Sequence, residues 1–291
     1  MGQPSRAEAR GEPEEADRGG QDPPRRGEAP EGRLRAVAVH SDVVVVTSRI
    51  WQTTATAIRS GDEALLIDSP YFPDELELLP TLLAQAGFRP NGLLATHADY
   101  DHLLGRLAFP GLALGVGEPT AERLRAEPGT AQRELRDADA EHYVTRPSPL
   151  SLGSYQALPV PGRVGLGDVE LELHPADGHT RDGTAVVAEF AGVLVCGDYL
   201  SDVEIPLIAS AGSLPDYRHT LARLRPLVER VETVVPGHGS PHDRATALRI
   251  LEEDLAYLDA VEGGDKRAAL PPGRDTARQR AIHADNVAKH T

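Results

Sequence analysis

The stretch Thr96-His97-Ala98-Asp99-Tyr100-Asp101-His102 carries four side chains able to bind a metal ion, His97, Asp99, Asp101 and His102, within six residues. It directly follows the apolar run Gly92-Leu93-Leu94-Ala95, which reads as a buried strand closed by a turn. Imidazole nitrogens mixed with carboxylate oxygens suit zinc, manganese or iron(II), whereas an all-oxygen set would suit magnesium or calcium. Taken by itself, the same heptad also fits a polar loop with two incidental histidines.

Three later segments decide between these readings. Gly178-His179-Thr180 follows the strand-like residues 169–173, Cys196-Gly197-Asp198 follows 193–195, and Pro236-Gly237-His238-Gly239 follows 233–235. Each is an apolar run that ends in a His or Asp beside glycine. Strand ends that each deliver a ligand type to a tight turn make the pattern of a metal site built along sheet edges.

With these segments in order, the chain resembles the metallo-β-lactamase fold superfamily over roughly residues 36–260. That family's signature is an Asp ending an early strand, then His-x-His-x-Asp-His, then separate His, Asp and His segments. The matching positions are Asp68, then His97, Asp99, Asp101 and His102, then His179, Asp198 and His238. One position departs: the family's second histidine is Asp99 here.

The resemblance implies an α/β fold, a four-layer αβ/βα sandwich, and a hydrolase with two divalent metal ions. His97, Asp99 and His179 would hold one ion; Asp101, His102 and His238 would hold the other; Asp198 would bridge them, and Asp101 is also taken as the catalytic carboxylate. Asp68 would orient a ligating histidine from behind, which is physically sensible because such a histidine needs its other nitrogen fixed. Two ions about 3.5–4 Å apart share a hydroxide as nucleophile and polarise the substrate oxygen. The implied substrate is a small ester, lactone, thioester or similar compound. A phosphodiesterase or nuclease, and a di-iron redox enzyme, are the alternatives. Zinc is the expected metal; the Asp99 carboxylate, a harder donor, keeps iron and manganese in view. Against the redox reading, no flavodoxin-like segment follows the metal domain.

Elements that could position these groups are legible on either side. Short β-branched runs at 36–39, 43–47, 53–59 and 64–67 predict an antiparallel meander ending at Asp68. An amphipathic helix over 73–87 returns the chain to the strand before the heptad. Residues 118–126 and 129–140 read as charged helices in an interval, 103–173, that is either a lid or pocket wall or a solvated insert. In the second half, strands at 169–173, 184–190, 193–195 and 233–235 alternate with helices at 215–230 and 243–261. His174 reads as a polar core residue or as support for His179, His242 as the opening of the last of these helices. Tyr199 is expected to face substrate and Tyr100 to point away.

Composition bounds the remainder. Residues 1–33 read as a disordered tail, since 2–33 contain no Val, Ile, Leu, Met or aromatic side chain to bury. Residues 34–262 form the expected catalytic domain, and 263–291 a polar C-terminal tail with a short helix at 275–289. His283, Asn286 and His290 share one side of that helix, read as surface. A net charge of −15 disfavours nucleic acid as a partner. No stretch suits a membrane span or a signal peptide, so a cytoplasmic protein with a small-molecule substrate is expected, its oligomeric state open. The single cysteine, Cys196, excludes an internal disulfide and reads as a small buried hydrophobe.

Overall fold

A computed structural model describes Met1 and residues 33–290; the anticipated N-terminal tail lies, apart from Met1 and Arg33, outside the described residues. Four strands, β1 (Arg35–His40), β2 (Val43–Thr47), β3 (Thr54–Ser60) and β4 (Glu63–Asp68), make the antiparallel meander. Helix α1 (Pro73–Gln85) then crosses over so that β5 (Gly92–Ala95) runs parallel to β4. After a 3-10 turn at Tyr100–His102 come α2 (Gly105–Ala108), β6 (Ala113–Gly117), α3 (Glu118–Ala126), α4 (Thr130–Glu141) and β7 (Tyr155–Leu158). These complete a seven-stranded sheet in the order β1 to β7.

The second sheet has six strands: β8 (Gly162–Leu166), β9 (Val169–Pro175), β10 (Thr184–Ala188), β11 (Val193–Val195), β12 (Thr233–Val235) and β13 (His242–Asp243), ordered from β13 at one edge to β8 at the other. Helix α5 (Leu214–Arg230) links β11 to the parallel β12, and α6 (Arg244–Glu262) and α7 (Ala277–His290) follow β13.

Strand β2 shows why the layers stack as they do. All five of its residues are buried, and successive side chains point to opposite faces. Val43 and Val45 join Ile58, Ile67 and Leu94 against Leu171, Leu173, Val186 and Val195 of the second sheet. Val44 and Val46 face the other way, into a cluster with Leu76, Leu79 and Leu83 of α1. On the far side, Val187 and Leu194 pack beneath Leu221 and Leu224 of α5 and Ile250 and Leu251 of α6. Helices, sheet, sheet, helices: this is the four-layer αβ/βα sandwich.

Two regions differ from the sequence reading. The interval 103–168 is not a solvated insert, because β6 and β7 extend the first sheet and Ala121, Ala131 and Leu135 of the two charged helices share the core of α1; of the two other readings, it is a fixed wall of the fold. Its strands escape notice in the sequence because β6 (Ala-Leu-Gly-Val-Gly) and β8 (Gly-Arg-Val-Gly-Leu) carry glycines that dilute any strand signal. The C-terminal helix forms, yet it does not lie on the surface as a detached tail. Gln279, His283 and Asn286 are buried, and Asn286 donates to the Pro206 carbonyl at 2.7 Å while accepting from Ile208 N at 3.1 Å.

Ahead of that helix, the guanidinium of Arg274, 1% exposed, pairs with the equally buried Asp254 of α6. Burial raises the Asp254 carboxyl to about 7 even with Arg274 drawing it down, so without that contact the carboxylate would be harder still to keep charged inside. Breaking a buried pair by removing one partner costs about 3–5 kcal/mol. Arg274→Ala should therefore lose stability on that scale in a urea melt, and a loss below about 1 kcal/mol would show that the C-terminal segment contributes little to the folded domain.

Candidate metal centre

Strands β4 and β5, like β11 and β12, are parallel neighbours, so their C-terminal ends open at one edge of the sandwich. The chain leaving β5 supplies His97 and Asp99, and the 3-10 turn that follows rotates Asp101 and His102 into the same space. The loops after β9, β11 and β12 supply His179, Asp198 and His238. All seven residues singled out in the sequence are thus brought together.

Their facing atoms fall into groups. His97, Asp99 and His179 form one, with Asp99 Oδ2 at 3.6 Å from His97 Nε2 and 3.4 Å from His179 Nε2. Asp101, His102 and His238 form another, with Asp101 Oδ2 at 3.8 Å from His102 Nε2 and 3.4 Å from His238 Nε2. Asp198 lies between them: its two oxygens are 3.7, 3.1, 3.3 and 3.4 Å from the Nε2 atoms of His97, His102, His179 and His238. Donors held about 2.0–2.1 Å from a tetrahedral ion lie roughly 3.3 Å from one another, so these separations are of ligand-set size.

The outer nitrogen of each ring fixes which nitrogen faces inward. His179 Nδ1 donates to the Leu207 carbonyl at 2.8 Å and His238 Nδ1 to the Trp51 carbonyl at 3.1 Å. His102 Nδ1 donates to Asp68 Oδ2 at 3.0 Å. Thr96 Oγ1 donates to that same Asp68 oxygen at 2.8 Å, which leaves the hydroxyl oxygen to accept from His97 Nδ1 at 3.1 Å. With the proton on Nδ1 in every ring, four Nε2 lone pairs point into the centre, the tautomer that a metal ligand requires. Asp68 thus supports two of the four rings, one directly and one through Thr96.

Backbone conformation at the centre is costly and specific. Trp51, Asp68 and Leu200, each beside a group that orients or supplies the centre, have φ of 50°, 58° and 59°, a region where non-glycine residues are uncommon and bulky ones are outliers. Gly237 is required for a different reason: a Cβ there would stand 2.2 Å from Asp198 Oδ1 and 3.0 Å from the His102 ring. Glycine lets the β12 loop approach close enough for His238 to join the group.

Charge supplies the test of whether a metal fits. Nε2 of His97, His102 and His179 and Oδ1 of Asp198 are buried with no hydrogen-bond partner, and buried polar atoms are seldom left so. Burial works against a charged His179 or His238, yet the surrounding carboxylates, Asp99 and Asp198 in the first case and Asp198, Glu204 and Asp101 in the second, push them up to about 9 and about 10. His102 moves the same way, against its burial, beside Asp198, Asp68 and Asp101. Asp198, despite its burial, is held well below the usual carboxylate range by His238, His102 and His97. Negative oxygens that draw protons onto imidazoles would draw divalent cations more strongly, and the donor set fits such ions.

Not every sequence expectation survives. Tyr199, expected to face substrate, is 2% exposed, and its hydroxyl sits behind His179, donating to the Asp177 carbonyl at 2.7 Å and accepting from His179 N at 2.9 Å. Tyr100, by contrast, does turn away from the ligand groups as expected, into an aromatic cluster with Trp51 and Tyr71. His174 does not support His179 and pairs with Glu172 at 3.0 Å. Helix α6 is capped by Asp243, which accepts from Thr246 N at 2.7 Å, rather than by His242. Two residues that matter were missed. Arg123 of α3 meets Asp99, and Asp182 meets Arg123 and the heptad backbone. Asp182 is three residues past His179 in a turn, which is the only local hint; Arg123 is one of several charges on its helix and carries none.

Comparison with known proteins agrees with the geometry. The profile of the family described as "Metallo-beta-lactamase superfamily" matches residues 49–238. Among solved structures, a metallo-beta-lactamase from Pontibacter korlensis is 19% identical with a TM-score of 0.57, covering 76% of this chain and 99% of that one. A metallo-beta-lactamase family protein from Thermus thermophilus is 19% identical with a TM-score of 0.63, covering 86% and 92%. The stereoselective inverting sec-alkylsulfatase Pisa1 from Pseudomonas is 12% identical with a TM-score of 0.70, covering 88% of this chain and 50% of that one. A search of curated proteins finds no match. At these identities the structural likeness speaks for the fold.

The pH dependence of stability follows from the histidines. His179 and His238 are raised from an ordinary 6.5 to about 9 and about 10, so protonated they favour the folded state; that contribution is complete below about 6.5 and lost as pH rises through 9 to 10. Chelator-treated protein should show a melting temperature that falls across this window. With divalent metal restored, affinity should rise with pH over the same range, because binding must displace those protons. A chelated protein whose melting temperature is flat from pH 6.5 to 10 would contradict this electrostatic picture.

Proposed function

Since the chain belongs to the metallo-beta-lactamase superfamily, a superfamily of metal-dependent hydrolases, we propose that it is a dinuclear enzyme acting on a small ester, lactone, thioester or similar substrate. The observation that carries this reading is the convergence of four inward-facing Nε2 atoms and three carboxylates in two three-residue groups that share Asp198 as neighbour. His97, Asp99 and His179 would hold one ion and Asp101, His102 and His238 the second, with Asp198 between them. Bound there, two divalent ions would supply an acidified water as nucleophile and Lewis-acid polarisation of the scissile group.

The protein's own part is orientation and proton handling. The Nδ1 hydrogen bonds lock the rings, so little reorganisation accompanies ligand binding. Asp101 is the carboxylate assigned a catalytic part: its Oδ2 faces His238 and His102, which leaves the second oxygen to take up a proton during turnover. Zinc is the proposed metal on the strength of four imidazoles, with iron or manganese favoured to the extent that Asp99 governs the first group. A net charge of −15 weighs against nucleic acid as substrate.

Protein stripped with chelator and reloaded separately with zinc, manganese and iron should bind about two ions per chain. It should hydrolyse at least one compound in a chromogenic panel of esters, lactones and thioesters. Phosphodiesters belong in the panel as the rival reading, and a secondary alkyl sulfate and a β-lactam because structural relatives carry those names. Turnover confined to phosphodiesters or sulfates would overturn the substrate class, and turnover insensitive to the chelator would overturn the metal dependence. Asp99→Ala should reduce tightly bound metal from about two ions to about one. Unchanged stoichiometry and activity would make Asp99 a mere loop residue.

A further inference from the structure

Asp99 is where the sequence leaves the family pattern, and a carboxylate differs from the expected imidazole in two ways. It is shorter, and it has two equivalent oxygens, so it can swing, rotate or chelate with both. Something has to decide which oxygen faces the imidazoles. In this structure Asp99 Oδ1 is 2.8 Å from Nη2 of Arg123, while Oδ2 is turned to His97 and His179. The other arm of the same guanidinium, Nη1, is 2.8 Å from Oδ1 of Asp182, whose side chain is fully buried. Asp182 Oδ2 in turn accepts from the backbone N of Ala98 at 2.9 Å, the residue between His97 and Asp99. Arg123 is itself only 9% exposed, and its Nε lies 3.4 Å from Glu127, the residue at the C-terminal cap of α3. A rigid planar fork therefore joins three things: the side chain of Asp99, the backbone beneath it, and helix α3.

We propose that Arg123, braced by Asp182, is a positioning residue that presents Asp99 to the first ion through Oδ2 alone. The inference rests on the metal reading given under Proposed function. A histidine at this position would need no such device, since one ring nitrogen faces the ion and the other is fixed by a single hydrogen bond. The guanidinium carries a positive charge that would repel the incoming ion, but Asp182 is a full counter-charge at hydrogen-bond distance, so the Arg123–Asp182 pair is electrically neutral towards the site and its main effect is geometric. Lysine could not replace it, because a single ammonium cannot span two carboxylates that are met by separate arms of a planar group. Loss of such an outer partner typically costs 10–100-fold in metal affinity.

The test compares Arg123→Gln with the parent by zinc competition against a chromophoric chelator, and by the visible absorption of the cobalt(II)-substituted protein. One site should weaken by roughly tenfold or more while the other changes by less than about twofold, and the cobalt spectrum should shift as Asp99 becomes free to chelate through both oxygens. Arg123→Lys should fail to restore the parent spectrum. In an Asp99→His background the same Arg123→Gln change should have less than about a twofold effect, since the group that Arg123 orients is gone. Should Arg123→Gln fold poorly, the double variant Arg123→Gln/Asp182→Asn, which leaves no unpaired buried charge, carries the same comparison. Equal weakening of both sites, an equal loss in the Asp99→His background, or an unchanged cobalt spectrum would each overturn the clamp while leaving the two-metal reading intact. A parent protein that binds no metal would overturn both.

Discussion

Four imidazole lone pairs and three carboxylates face one another in a space where several of those atoms have no protein donor to satisfy them. Such an arrangement is unfavourable in a protein interior unless positive charge occupies the middle, whether as protons on the rings or as divalent ions. That demand organises the surrounding structure. Asp68, Thr96, Leu207 and Trp51 are each used to hold a proton on the outward nitrogen of a ring, so that the inward nitrogen is left as a lone pair. The strained backbone at Trp51 and Asp68 and the missing side chain at Gly237 are local costs of bringing these groups so close.

The sandwich meets those costs by rigidity. Two sheets, each covered on its outer face by helices, bury valines on both sides of β2 and leucines on both sides of β5, and a close-packed interior of that kind leaves strand ends little freedom to drift. Parallel pairing of β4 with β5 and of β11 with β12, with β10 running antiparallel between β9 and β11, then sets the four ligand-bearing loops at one edge. The C-terminal helix belongs to the same construction. It closes over the segment between β11 and α5 through Asn286, and it carries Arg278 to within 5.7 Å of the Trp51 ring beside the centre.

How much of this is legible in the sequence depends on the range of the interaction. The strand-turn segments at His97, His179, Asp198 and His238 are visible because apolar run, glycine and ligand type lie within a few residues of each other. Helix α3 is legible as a helix, with its boundaries, for the same local reason. What cannot be read is any relation that only the fold creates. Arg123 meets Asp99 and Asp182 across loops from different strands, and nothing in a helix of alternating charges marks one arginine as buried. Asp182 resembles an ordinary turn residue. Polar residues on α7 suggest a solvated surface, whereas Gln279, His283 and Asn286 are buried because backbone groups of two neighbouring loops, at Ile205–Pro206 and at Asp265, need their hydrogen bonds. Glycine-rich β6 and β8 are strands because the neighbouring strands, β5 and β7 for one and β9 for the other, supply pairing partners.

The two-ion reading of the space between these seven side chains can be checked in a crystal of the metal-reconstituted protein, with anomalous diffraction recorded on either side of the absorption edge of the metal supplied. Two peaks are expected, one among His97, Asp99 and His179, the other among Asp101, His102 and His238, with Asp198 touching both. A fully loaded crystal showing no peak there, or a single ion held without Asp99, would contradict it.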